Sequence, residues 1–402
     1  MKRWVLLCVA LFCTLSVVVA QSIEDPGPWP VGWRDVSFTD TIYGQGTISA
    51  RLFYPALSAG NQTAPDPGSG PWPLVAFQHG WLQSPSSYDK ICTHIASWGF
   101  VVASTGTETG LFPSHQQFAR DTRSLLAWVE ASSSDPASWL FAMADGGDWA
   151  ATGHSMGGGA LALLIGIEPR VRTIVGLQSA MVNGPAIPNI QAFAGRNYQV
   201  TGSVDSIVPP ATVYTFFEEA LLAERKIIYR VNGMGHTGCT DNPLPTEPLP
   251  AAEQSRLSRR IATGLLRAAV RGEEDLFLDL MGEGMSVEPV DRQSGCHNPP
   301  FWAQHSVLHP TDLVVGLAGR AGATVMLAGS FATASIQTPY GELGLDLTQG
   351  ANFYSARLGL MGWHEALLPV QPAWSGRTAY FQGLVVDPSS GQLSRVVELT
   401  LP

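Results

Sequence analysis

A serine hydroxyl attacks a carbonyl only when a base removes its proton and a third group orients that base. The stretch Gly153-His154-Ser155-Met156-Gly157, extended by Gly158 and Gly159, has the spacing for such a nucleophile. The apolar run Asp148-Trp-Ala-Ala-Thr-Gly leads into it and Ala160-Leu-Ala-Leu-Leu-Ile leads out. Together they predict a strand, a sharp turn carrying Ser155 and a helix. Glycine on both sides lets the backbone approach its neighbours closely there.

The acid and the base should then follow on loops after later strands. Asp205 lies in Val200-Thr-Gly-Ser-Val-Asp-Ser-Ile-Val-Pro-Pro, a turn just beyond an apolar run. Asp145 and Asp148 precede the serine and Asp241 follows the histidine, against the Ser, Asp, His order of a parallel α/β site. Among the nine histidines, His236 in Gly233-Met-Gly-His-Thr-Gly-Cys has the correct order. His79, His94, His115 and His154 come before Ser155, and His297, His305, His309 and His364 lie far downstream. An oxyanion needs preorganised N–H donors. The residue after the nucleophile, Met156, and Trp81 in Gln78-His79-Gly80-Trp81 hold the positions that supply them.

These residues need a scaffold. Short β-branched and aromatic runs between Arg34 and Pro55 predict opening antiparallel strands. After a Gly- and Pro-rich loop, apolar runs at 73–78, 99–103, 148–153, 171–177, 198–201 and 226–231 alternate with helical patterns near 86–97, 116–131, 155–165, 213–223 and 251–271. Such alternation predicts a doubly wound, mostly parallel sheet. The expected division is a catalytic domain over 21–287, a linker over 288–310 and a small all-β sandwich over 311–402, where strand-like runs such as Leu343-Gly-Leu-Asp-Leu alternate with turns.

Residues 1–20 read as an export signal: Lys2 and Arg3, an apolar run from Trp4, then Val18-Val19-Ala20 before the expected cleavage. Secretion to an extracellular or periplasmic space follows, with no stable membrane span in the mature chain. Losing Lys2 and Arg3 takes the net charge from −10 to about −12, which excludes a nucleic-acid partner. Three cysteines then remain. Cys239 lies in the histidine loop and Cys296 in the expected linker, so these two are expected to form a disulfide, with Cys92 a core thiol in a helix. The cysteine spacing fits no zinc pattern, and no metal site is expected. The chemistry asks for no cofactor, and the chain is expected to be a monomer.

Gly153-His-Ser-Met-Gly-Gly-Gly, Gly80-Trp81, Gly202-Ser-Val-Asp205-Ser-Ile-Val-Pro and Gly235-His236 resemble the corresponding motifs of bacterial cutinases and poly(ethylene terephthalate) hydrolases. Platelet-activating-factor acetylhydrolases and chlorophyllase-like esterases share much of the pattern. The resemblance, over roughly residues 34 to 275, implies an α/β-hydrolase, and the short stretch between the run ending at Leu177 and the one beginning near Tyr198 leaves no room for a cap domain. It implies a serine esterase forming an acyl-enzyme, with a polymeric or lipid ester as substrate and Trp81 and Met181 as substrate contacts. Met181 stands where polyesterases usually carry a tryptophan. Ser203 stands where some relatives join the acid and histidine loops by a disulfide. A lipid or phospholipid acyl esterase is the alternative, and a non-catalytic surface-binding protein on the same scaffold is the reading from another class.

Overall fold

Successive side chains of a strand point to opposite faces, and the strand Leu74–Gln78 uses both. Val75 and Phe77 enter one core, while Leu74 and Ala76 enter another. A sheet buried on both faces has this signature. In the computed structural model, which describes residues 21–147, 149–296, 300–349, 352–388 and 391–402, it is the centre of a ten-stranded mixed sheet. The expected signal at 1–20, Asp148 and His297 lie outside the described residues.

The strands are β1 (Val31–Thr39), β2 (Thr47–Pro55), β3 (Gly60–Asn61), β4 (Leu74–Gln78), β5 (Val101–Thr105), β6 (Trp149–His154), β7 (Val171–Leu177), β8 (Arg196–Gly202), β9 (Arg225–Val231) and β10 (Val290–Ser294), in spatial order 10-9-8-7-6-4-5-2-1-3. From β5 through β4, β6, β7 and β8 to β9 all pairings are parallel. The β1–β2, β2–β5 and β9–β10 pairings are antiparallel. Helices α1 (Asp89–Ser97) and α6 (Ala251–Val270) cover one face through Ile91, Ile95, Leu257, Ile261 and Leu265. On the other face lie α2 (His115–Ser134), α3 (Met156–Ile165), α4 (Ala186–Ala192) and α5 (Pro210–Glu218), led by Leu125, Leu126, Leu161, Ile190 and Phe216. The apolar spacing read in α2 is the buried stripe Phe118, Leu125, Leu126 and Val129.

Residues 288–310, expected to be a linker, instead carry two strands. β10 extends the main sheet, and Phe301–His305 pairs with Asp312–Ala318, which pairs with Trp363–Pro369. A second sheet joins Asn352–Arg357, Thr324–Ser330, Thr378–Val386, Gly391–Leu393 and Val397–Thr400, and a hairpin spans Thr333–Leu345. These C-terminal sheets enclose their own apolar core around Phe301, Leu317, Val325 and Phe381. They also share one with the main sheet, since Trp302, Val314 and Ala318 pack in the cluster that holds Met281, Met285 and Val290. Polar ties run beside it: Trp302 Nε1 donates to Glu365 (2.8 Å), Ser306 Oγ to Glu283 (2.7 Å), and Arg395 pairs with Asp275 (2.6 Å).

The expected disulfide between Cys239 and Cys296 is absent. Cys92, Cys239 and Cys296 are all buried free thiols. β10 runs antiparallel to β9 with Ser294 opposite Ile227, so Cys296 ends beside the start of β9, its Sγ 3.7 Å from the Lys226 carbonyl. Cys239 lies beyond the other end of β9. Seven residues of strand separate those ends, about 20 Å at roughly 3.3 Å per residue, far beyond disulfide reach.

Candidate active site

The carboxyl ends of parallel strands, where helices and loops begin, form the natural crevice of such a sheet. β4, β6, β8 and β9 end there in His79-Gly80-Trp81, Ser155, Asp205 and His236. Ser155 sits between β6 and α3 at φ 53°, ψ −117°, a conformation non-glycine residues rarely hold. Hydrogen bonds on both sides pin it: its N–H donates to Leu177 and its carbonyl accepts from Ala180. A Cβ on Gly157 would lie 2.1 Å from the Gln78 carbonyl oxygen, and one on Gly153 would lie 2.8 Å from the Gly157 carbonyl. The elbow therefore requires glycine at both positions to press against β4.

Ser155, Asp205 and His236 come together. His236 Nδ1 lies 2.8 Å from Asp205 Oδ2, and its Nε2 lies 2.9 Å from Ser155 Oγ. All three are buried, Ser155 at 8% exposure retaining a sliver of access. Asp205 Oδ1 accepts the Ile207 and Val208 N–H groups at 2.9 and 2.8 Å, which leaves Oδ2 for the imidazole. Ser203 Oγ accepts the Gly233 N–H at 2.9 Å, so a hydrogen bond joins the acid and histidine loops.

Beside the serine lies His154, fully enclosed, with its ring centroid 4.8 Å from that of His236. Burial, helped by the neighbouring His236, lowers its pKa to about 3, so it is neutral at working pH.

Trp81 and Met156 share the lining of a shallow cleft of about 420 Å³ with Leu111, Phe112, Pro113, His115 and Asn183. Among the described residues, neither the Trp81 nor the Met156 amide has a hydrogen-bond acceptor. Trp81 is half exposed, and its Nε1 donates to the Leu111 carbonyl at 3.2 Å. Met156 is buried. Met181 is half exposed on the loop after β7 and is not in that lining. Sequence reasoning passed over Leu111, Phe112, His115 and Asn183. The legible signal was Gly110-Leu-Phe-Pro, an apolar pair in the loop between β5 and α2, with Phe112 97% exposed.

An apolar cavity of about 340 Å³ between the C-terminal sheets is lined by residues such as Phe331, Trp374 and Phe381 and by no acid, base or histidine. Among the described residues no group of three or more His, Cys, Asp or Glu could hold a metal ion, and no helix is long and apolar enough to cross a membrane. A protein-family model described as PETase, PET hydrolase-like, matches residues 19–243, more than half of the chain. No curated protein matches.

Proposed function

The chain belongs to the PET hydrolase-like family of α/β-hydrolases, and from that premise we propose that it is an exported serine esterase acting on carboxylic esters, polyesters among them. The observation that carries the reading is the continuous hydrogen-bonded line from Asp205 Oδ2 through His236 to Ser155 Oγ. Ser155 Oγ attacks the ester carbonyl while His236 Nε2 takes its proton. The Trp81 and Met156 N–H groups receive the oxyanion. Collapse of the tetrahedral intermediate breaks the bond to the alcohol, which leaves with the proton from His236. Water, deprotonated by the same ring, then attacks the acyl-enzyme and releases the acid. Asp205 holds the ring in the required tautomer throughout.

A polymeric substrate suits the cleft. Trp81, Leu111 and Phe112 present exposed apolar surface in the cleft that Met156, next in the chain to the serine, also lines, and the β7–β8 connection contains only the seven-residue α4, which supports a site without a cap. A flat or chain-like ester could lie across such a surface, with Met181 at its margin. The test is a panel of short and long p-nitrophenyl esters, a phospholipid dispersion and an amorphous polyester film, run with wild type and Ser155→Ala. Serine-dependent turnover of short esters and film is expected. Turnover confined to long acyl esters or phospholipid would turn the substrate reading to a lipid esterase, and serine-independent turnover would overturn the mechanism.

A further inference from the structure

The histidine inside the G-x-S-x-G motif is not used by this mechanism, yet it touches both halves of it. His154 Nε2 lies 2.8 Å from the backbone carbonyl of His236, and its Nδ1 lies 2.8 Å from Tyr88 Oη. The Gly80 N–H in turn donates to Tyr88 Oη at 2.9 Å. A carbonyl can only accept, so His154 carries its proton on Nε2 and its Nδ1 is an acceptor. Tyr88 must then donate its O–H to Nδ1 while accepting from Gly80. Every donor in this chain has one acceptor, and the direction is fixed from end to end.

We infer that Tyr88 and His154 are positioning residues that brace the turn carrying the Trp81 amide against the backbone of His236, through the directed chain Gly80 N–H, Tyr88 O–H, His154 Nε2–H, His236 C=O. The inference rests on the reading of Ser155 and His236 as nucleophile and base. One end of the chain lies next to the oxyanion donor and the other is the backbone of the base, so the strut sets the distance between the two groups that act on opposite sides of one reacting carbon. Burial supports it. Tyr88 and His154 are both enclosed, burial holds the tyrosine proton on its oxygen, and burial with the nearby His236 keeps His154 neutral. A neutral ring 4.8 Å away does not oppose the positive charge His236 acquires in each half-reaction. The neighbouring backbone leaves little slack, because a Cβ on Gly80 would lie 2.9 Å from His154 Nδ1 and 3.0 Å from Tyr88 Oη.

The test compares Tyr88→Phe, His154→Asn and His154→Gln with wild type and Ser155→Ala on a soluble p-nitrophenyl ester, with active sites counted by a phosphonate titrant. Gln places an N–H where His154 Nε2 stands and keeps the bond to His236. Asn reaches only toward Tyr88. Each of Tyr88→Phe, His154→Asn and His154→Gln thus cuts the chain at one link, and each should lose about tenfold or more in kcat per active site, with KM within about twofold. A residue that only supports the fold would lower the number of titrated sites and leave kcat per site unchanged. Wild-type kcat per site in Tyr88→Phe, or in either His154 variant, would overturn the strut. Retained turnover by Ser155→Ala would instead strike the reading beneath it. Nitrogen-15 NMR of the unaltered protein adds a check that needs no variant: His154 should be protonated on Nε2 alone, and a proton on Nδ1 would refute the directed chain.

Discussion

Asp205 divides its two carboxylate oxygens, Oδ1 to the Ile207 and Val208 amides and Oδ2 to His236 Nδ1 at 2.8 Å. The backbone bonds fix the carboxylate before the imidazole arrives, so its work is to select the tautomer with a free Nε2. In Asp205→Asn the side chain keeps its shape but offers an amide N–H to one of its partners. Turnover of a soluble ester should fall by about 10³ to 10⁴-fold with the fold intact by circular dichroism. A loss under about tenfold would remove Asp205 from the acid position.

Two enclosed histidines tie stability to pH. Burial lowers His154 to about 3, and burial with the nearby Arg259 lowers His94 to about 4, each from an ordinary 6.5. The unfolded chain binds protons below about pH 6.5 that the folded chain refuses. Stability from these groups is full above that pH and is lost as the pH falls toward 4 and then 3. The melting temperature should decline steadily from pH 7 to pH 4.5, and His94→Gln should flatten the decline. A level profile over that range would show that these rings are accessible to protons.

The thiols give a direct chemical count. Protein produced without residues 1–20 and alkylated without reductant should take up three labels after unfolding and almost none before it, since Cys92, Cys239 and Cys296 are free and buried. Recovery of a Cys239–Cys296 linked peptide would contradict the arrangement of β9 and β10.

Trp302 is fully buried where the main sheet and the C-terminal sheets share a core, and its Nε1 donates to Glu365. Trp302→Ala should destabilise the protein by about 3–5 kcal/mol, measured by urea unfolding, because it opens a cavity and strands a carboxylate. Turnover per active site at low temperature should stay within about twofold of wild type. Loss of per-site turnover in folded protein would show that the C-terminal sheets shape the cleft itself.

The strand and helix alternation of the main sheet was legible because both faces are buried, which makes runs such as Leu74-Val-Ala-Phe continuous and α2 periodic. Ser155, Asp205 and His236 were legible from order alone, each just past an apolar run. β10 was not. Its inward residues include Arg292 and Ser294, whose polar groups are satisfied by the Gly282, Gly319 and Gly362 carbonyls, and the Arg292 guanidinium stacks 4.3 Å over Trp363. Such a strand has no apolar alternation to read, and missing it put Cys296 beside Cys239. The cleft lining was hidden for a related reason, since Phe112 and Asn183 meet only through loops whose paths depend on the whole sheet.

β10 also decides how the main sheet ends. Without it, β9 would present a seven-residue row of unpaired backbone groups beside the C-terminal sheets. With it, the border is a five-residue strand bearing the exposed Asp291, and at the far side the two-residue β3 closes along β1. Short, charged borders are poor templates for a strand from another chain. The segment that joins the two halves of the molecule thereby also leaves the main sheet without a long unpaired border on which a strand of another copy could add.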